Sequence, residues 1–231
     1  MTARRDTLLF DLDGTLTDTD ALHFEAFRIL LARFGTAITH DDYKSRIMGA
    51  TNAAIMGWLF PGRPEDEHRA LGEEKERLFR SLAGRMTPLP GLTELLGWAD
   101  ALSLKTAVVT NAPRANAEMM LGALGLGARF PVLVIGDELA RGKPDPLPYR
   151  TALERLGADA AQAYAFEDSR SGVAAAHGAG VDTFGMMTGL DAATLRAAGA
   201  CAAIRDFTDP LLLRSLAREY GSAPRPASAA S

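Results

Sequence analysis

The sequence is short of several things at once. Cys201 is the one cysteine in 231 residues, which excludes an internal disulfide framework and any CxxC metal or redox pair. There are 4 histidines, and so His-poor and Cys-poor a chain is not expected to hold zinc. No apolar run approaches the roughly 18 residues that a membrane-spanning helix needs. Nor is there a basic excess: 25 Lys+Arg against 29 Asp+Glu leave a formal charge of −4, so nucleic acid is not an expected partner. The Arg4-Arg5 pair does not read as an export leader, because the apolar stretch behind it is broken at once by Asp11 and Asp13. What is present, 47% hydrophobic and 23% charged residues, is the composition of a chain that buries a sizeable core. The expectation is a soluble cytoplasmic protein.

Short apolar runs recur along the chain, each ending abruptly in polar residues: Thr7–Phe10 before Asp11 and Asp13, Thr106–Val109 before Thr110 and Asn111, Val132–Ile135, Tyr164–Phe166 before Glu167 and Asp168, and Val181–Phe184. A weaker one is Cys201–Ile204. Continuous apolar runs of this length read as parallel strands buried on both faces. Between them lie helical patterns, as at Tyr149, Ala152, Leu153 and Leu156, or Met119, Met120, Ala123 and Leu124. The last helix starts cleanly, with Asp209 at its cap and Pro210 in its first turn. Strands alternating with helices imply an α/β fold with a doubly wound parallel sheet.

One stretch breaks the alternation. Residues 17–87 carry only helical periodicity: Phe24, Phe27, Leu31 and Phe34 share a face, Thr39 and Asp42 form a capping box, and a charged helix covers Glu73–Leu82. About seventy residues of helix is far more than a crossover between strands requires. We read it as a helical cap inserted over the sheet, with a Rossmann-like core in 1–16 and 88–221. The Ala/Ser/Pro-rich tail, 222–231, is expected to be disordered. No amphipathic element is left over once this fold is built, so a monomer is expected.

In a doubly wound sheet ligands bind beyond the carboxyl ends of the strands. That edge would hold Asp11, Asp13, Glu167 and Asp168 together with Thr110, Ser169 and Lys143, the last in a Gly-Lys-Pro loop after the third strand. Carboxylates packed this closely repel one another unless a cation joins them, and a small cluster of hard oxygen ligands suits Mg²⁺. A metal beside a fixed lysine and a hydroxyl suits a phosphate group, so phosphoryl transfer is the natural chemistry. Other patterns carry no chemistry: Gly122, Gly125 and Gly127 end a helix, Met186-Met187 is packing, and Cys201 sits in an apolar context and is inert.

Asp11-Leu12-Asp13-Gly14-Thr15, Thr110-Asn111, Lys143 in Gly-Lys-Pro and Glu167-Asp168-Ser169, in this order and at the ends of successive strands, resemble the four signature motifs of the haloacid dehalogenase-like superfamily. The helical insertion after the first motif resembles its helical-cap subclass, and the chain as a whole the phosphoglycolate phosphatase and β-phosphoglucomutase-like branch. The resemblance implies that Asp11 is the nucleophile, forming an aspartyl-phosphate, and that Asp13 is the acid and then the base. It implies that Thr110 bonds the phosphoryl group and Lys143 neutralises charge on it. Mg²⁺ would be held by Asp11, the Asp13 carbonyl, Asp168 and Glu167, directly or through water. Asp13 argues against the branches that displace halide or cleave carbon–phosphorus bonds.

The substrate is expected to be a small phosphate monoester, of the sugar phosphate or phosphoglycolate type. Hydrolysis is favoured over a phosphosugar mutase on two details. Thr15 stands where the mutases tend to have valine, and Asn52 where the mutase has an arginine for a second phosphate. His23, Asn52, Lys75 and Asn111 are the candidate substrate contacts. Two readings from another class remain: a phospho-receiver module, which lacks a cap and keeps its nucleophile on the third strand, and a capped sensor that binds a sugar phosphate without turning it over.

Overall fold

The computed structural model describes residues 4–84 and 86–225. Six strands form one parallel sheet: β1 (Thr7–Phe10), β2 (Lys105–Thr110), β3 (Val132–Ile135), β4 (Ala163–Glu167), β5 (Asp182–Met186) and β6 (Ala202–Ile204). Their spatial order is β3-β2-β1-β4-β5-β6, and every neighbouring pair is parallel. Strand order reverses between β1 and β4, and at such a switch point the loops on either side diverge and leave a crevice.

Alternation along each strand builds two separate cores. On one face Leu8 and Phe10 join Val108, Tyr164 and Phe166, and the Phe10 and Phe166 rings stack 5.1 Å apart. On the other face Leu9 packs with Ala107, Val109, Ala163 and Ala165. The small residues there let α7 (Leu147–Leu156) lie close to the sheet through Tyr149, Ala152 and Leu153. Helices α5 (Leu92–Ala101), α6 (Arg114–Ala123) and α10 (Pro210–Tyr220) contribute to the first core, and α8 (Arg170–Gly178) to the second. A short α9 (Ala192–Ala197) precedes β6.

After β1, and ahead of α5, stand four helices: α1 (Asp20–Ala32), a short α2 (His40–Asp42) that runs into a π turn at Tyr43–Ile47, α3 (Asn52–Leu59) and α4 (Glu65–Leu82). They share a third core of Phe27, Leu30, Leu31, Tyr43, Ile55, Met56 and Leu71. The capping box of Thr39 and Asp42 is present. The chain leaves and returns at one spot: Thr17 Oγ1 donates to the Thr87 carbonyl at 2.8 Å, and Leu89 N to the Leu16 carbonyl at 2.9 Å.

Some details differ from expectation. Helix α4 starts at Glu65, eight residues before Glu73, because Pro64 at its cap and three acidic residues in the first turn suit a helix N-terminus. The buried face of α6 is Asn116, Ala117, Met120 and Leu121, while Ala123 is exposed; the hydrophobic pattern could not foresee that an asparagine is buried. Phe34 lies past the end of α1 and is exposed, against Phe60. Cys201 is exposed as a residue, but its thiol donates to the Thr183 carbonyl and partial burial raises it above the usual cysteine value, which fits an inert thiol. Gly125, at φ 72°, does end its helix. Of the tail expected to be disordered, 222–225 carry no helix or strand, and 226–231 lie outside the described residues.

Candidate active site

At the switch point, Asp11 follows β1 and Glu167 ends β4, and a single cation joins them. Lys143 Nζ lies 2.6 Å from Asp11 Oδ1, 2.5 Å from Glu167 Oε1 and 2.7 Å from the Val109 carbonyl, so all three of its hydrogens are committed. Burial alone would lower the Lys143 ammonium, but Asp11 and Glu167 raise it above the usual lysine value. Glu167 is fully buried and also accepts from the Tyr149 hydroxyl at 2.7 Å. Asn111 sets the loop that delivers the lysine: its Nδ2 donates to the Lys143 and Gly49 carbonyls, and its Oδ1 accepts from Lys143 N.

Asp168 stands beside Asp11. It is 4% exposed, and among the described residues nothing donates to its carboxylate. Asp11, Glu167 and Asp168 each bring one oxygen within 4.8 Å of the others. Burial pushes Asp11 well above the usual aspartate value; Lys143 pulls it back and Glu167 pushes it up again. Burial also raises Asp168, with Asp11 and Glu167 adding to it. Three crowded carboxylates facing one ammonium, one of them without a partner, fit a hard divalent cation.

Asp13 is two residues along the same extended segment and is half-buried. Its Oδ1 accepts from Thr19 Oγ1 at 2.7 Å and from His23 Nε2 at 3.0 Å; its Oδ2 accepts from nothing among the described residues. Lys75 Nζ lies 2.9 Å from His23 Nδ1. An ammonium can only donate, so Nδ1 is the acceptor and Nε2 carries the hydrogen that reaches Asp13. The imidazole is fixed by stacking on Phe79, centroids 3.9 Å apart. Burial would raise the Asp13 carboxyl, but His23, Thr19 and the charge of Lys75 hold it below the usual aspartate value.

Thr110 is buried, and its Oγ1 accepts from Ala112 N at 2.9 Å. Pro113, not Thr110, stands at the cap of α6, so the threonine's own hydrogen is left for a ligand. Gly14 turns the chain at φ 72°, and a side chain there would run into the Asp168 carboxylate. The crowding that glycine relieves is therefore with Asp168. Thr15 is fully buried outside the pocket wall, its hydroxyl unpartnered, and so it cannot bear on hydrolysis against transfer.

The pocket wall contains Asp11, Asp13, Thr110, Asn111, Lys143 and Asp168 from the sheet edge and His23, Asn52 and Lys75 from the helices above. Each expected site residue except Glu167, which lies behind Lys143, thus reaches one cavity. Among the further residues that line it are Asp20, Tyr43, Glu76 and Asn116, none of which the sequence reading placed in the site. Glu76 lies within the charged stretch of α4, yet it is 5% exposed. Its Oε1 accepts from Asn52 Nδ2 and Lys75 Nζ, both at 2.9 Å, and its Oε2 from Asn116 Nδ2 at 2.6 Å. The signal was present in Leu71, Lys75 and Phe79, four apart on the buried face, with Glu76 four residues after the equally buried Gly72.

Comparison with known proteins gives a consistent picture. The family model described as haloacid dehalogenase-like hydrolase matches residues 8–186. A phosphorylated carbohydrates phosphatase of Thermotoga maritima is 35% identical over 207 residues, 87% of this chain and 94% of that protein. A phosphoglycolate phosphatase of Rhodospirillum rubrum is 32% identical over 210 residues, 87% of each. Among solved structures, CbbY of Rhodobacter sphaeroides in complex with phosphate superposes with a TM-score of 0.75 at 27% identity, covering 87% of this chain and 94% of that one.

Proposed function

This chain belongs to the haloacid dehalogenase-like hydrolases, and from that we propose that it is a Mg²⁺-dependent phosphatase that hydrolyses a small phosphate monoester, of the sugar phosphate or phosphoglycolate type, through an aspartyl-phosphate on Asp11. The observation that carries the reading is the pairing of Asp11 with Lys143 at 2.6 Å, beside an Asp13 whose second oxygen is free.

In the first step an Asp11 oxygen bonds to phosphorus as the ester P–O bond breaks, and Asp13 passes to the departing alcohol oxygen a proton that its free oxygen must take up as the substrate binds, since His23, Thr19 and Lys75 keep the carboxyl ionised in the free site. In the second, water adds to phosphorus and passes a proton to Asp13, which releases inorganic phosphate and restores the Asp11 carboxylate. Lys143 and the Thr110 hydroxyl hold the phosphoryl oxygens. Asp11, Asp168 and the Asp13 carbonyl, with Glu167 near, would hold the metal, and when bound it would supply charge neutralisation at the phosphoryl group. Thr19 and His23 hold Asp13 so that its free oxygen faces the ester.

Hydrolysis is supported over transfer to a second sugar hydroxyl because Asn52 is bonded to Glu76 and offers no cation for the far phosphate of a bisphosphate. Intact Asp11, Asp13, Lys143 and Asp168 speak against a non-catalytic sensor. Among the described residues no helix is long and apolar enough to cross a membrane. Phe34 is the one exposed large hydrophobic among them, which supports a monomer, and the composition supports the cytoplasm.

The test is phosphate release from p-nitrophenyl phosphate, phosphoglycolate, and pentose and hexose phosphates, with Mg²⁺ and with excess chelator. Release that needs the metal, strongest on one small ester and absent in Asp11→Asn, is expected. Isomerised glucose phosphate without net release, or release undiminished by the chelator, would overturn the reading.

A further inference from the structure

Glu76 is not needed for the chemistry just described, yet its carboxylate is buried in the wall of the same pocket, on the cap side. A carboxylate offers about four acceptor sites, and Asn52, Lys75 and Asn116 fill three. Nearby, Asn52 Oδ1 accepts nothing among the described residues. Asp20 Oδ1 accepts from the Tyr43 hydroxyl at 3.0 Å, and its Oδ2 accepts from no side chain among them. The wall facing the leaving group is thus rich in acceptors. Its cations are committed: Lys143 to Asp11, Glu167 and the Val109 carbonyl, and Lys75 to His23 and Glu76 with the Phe27 ring 4.8 Å away. No arginine lines the pocket among the described residues.

We propose that Glu76 determines specificity in this pocket: its carboxylate accepts a hydrogen bond from a hydroxyl of the leaving group and repels any leaving group that carries a second phosphate. The preferred substrates are then monophosphates of neutral polyhydroxylated alcohols. A phosphate oxygen at neutral pH is an acceptor, and brought against Glu76 and Asp20 it would find neither a donor nor a free countercharge. In a desolvated pocket that like-charge cost is far larger than in water. Burial would raise the Glu76 carboxyl, but the charge and hydrogen bond of Lys75, with the Asn52 amide, hold it below the usual glutamate value, so it is charged across the neutral range. Its three partners also fix its position, so the charge cannot swing away from an incoming anion. The inference rests on the phosphatase reading and narrows it to one class of ester.

The experiment compares kcat/KM for fructose 1-phosphate and fructose 1,6-bisphosphate, with p-nitrophenyl phosphate as the reference, in the wild type and in Glu76→Gln. The wild type is expected to prefer the monophosphate by about tenfold or more, because Lys75 is already paired with Glu76 and a second phosphate would meet no free countercharge on this wall. Glu76→Gln should bring the two within about threefold, and should lose more on fructose 1-phosphate than on p-nitrophenyl phosphate, which has no hydroxyl to offer. Should Glu76→Gln not fold, the double variant Glu76→Gln/Lys75→Met takes its place, since it also removes the buried ammonium that would lose its carboxylate. A wild-type preference below about threefold, or one that survives the substitution, overturns the assignment. Calorimetric binding of both ligands to Asp11→Asn, with and without Glu76→Gln, reads the same preference without turnover. Absent p-nitrophenyl phosphate hydrolysis would then sink the phosphatase reading, while the binding ratio still decides the role of Glu76.

Discussion

The Asp168 carboxylate occupies the space that a side chain on Gly14 would need. The two residues lie 154 positions apart, one after β1 and one after β4, and only the parallel pairing of those strands brings them together.

Gly14→Ala should therefore damage the site through Asp168, the proposed metal ligand. The backbone there has φ 72°, strained for any residue with a Cβ, and Asp168 has to move aside. We expect at least about a tenfold weaker Mg²⁺ requirement curve, read from phosphate release against metal concentration, and a loss of about 1–3 kcal/mol in stability. Unchanged metal dependence would show that Asp168 is not a ligand.

Asp13→Asn should separate substrates by the basicity of the departing oxygen. A sugar alkoxide needs a proton as it leaves, and its ester should slow by about 10²–10⁴. p-Nitrophenolate needs little help, so its release should fall far less in the aspartyl-phosphate-forming step. Burst kinetics on both esters check this, and equal losses in that step would remove Asp13 from the acid role.

Thr15→Val should leave activity alone. The hydroxyl is fully buried with no partner, and an unmade hydrogen bond costs about 1–3 kcal/mol. A near-isosteric valine is expected to stabilise the fold by about 1 kcal/mol, seen as a higher denaturation midpoint. A loss of stability would mean that the hydroxyl has a partner after all.

The links of Glu76 to Lys75, Asn52 and Asn116 should show in the pH dependence of stability. Its folded pKa lies below the ordinary glutamate value of 4.5, so its contribution is full above about pH 4.5 and is lost as pH falls through the folded value. Melting temperatures of wild type and Glu76→Gln should differ at neutral pH and converge in acid. A gap that is constant, or widens in acid, would contradict the assignment.

Much of this site was legible from one dimension, for a physical reason. A buried parallel strand is a short apolar run, so carboxylates at its end stand out, and topology places all such ends on one edge. Asp11, Asp13, Thr110, Lys143 and Asp168 were found that way. Glu76, Asn116 and Thr19 were not. Glu76 sits in a charged run that resembles a wet helix face, and what makes it a buried residue is Asn116, 40 positions away on another helix. Asn116 broke the hydrophobic pattern of α6 in turn, because its Nδ2 holds Glu76 and its Oδ1 accepts from Arg80 at 2.5 Å. Each looks like a surface residue until the other is beside it.

The bonds from Thr17 to Thr87 and from Leu89 to Leu16 mean that seventy residues depart from the sheet and rejoin it through a single doorway. Strands β1 and β2 pair directly across that doorway, so the sheet closes whatever is hung between them. Such an arrangement is a cassette: helices there can be lengthened, shortened or exchanged without altering the strand register that holds Asp11 against Lys143. The sheet edge that carries Asp11 and Lys143 and the helices that face it can therefore change at different rates, the first fixed and the second open to variation.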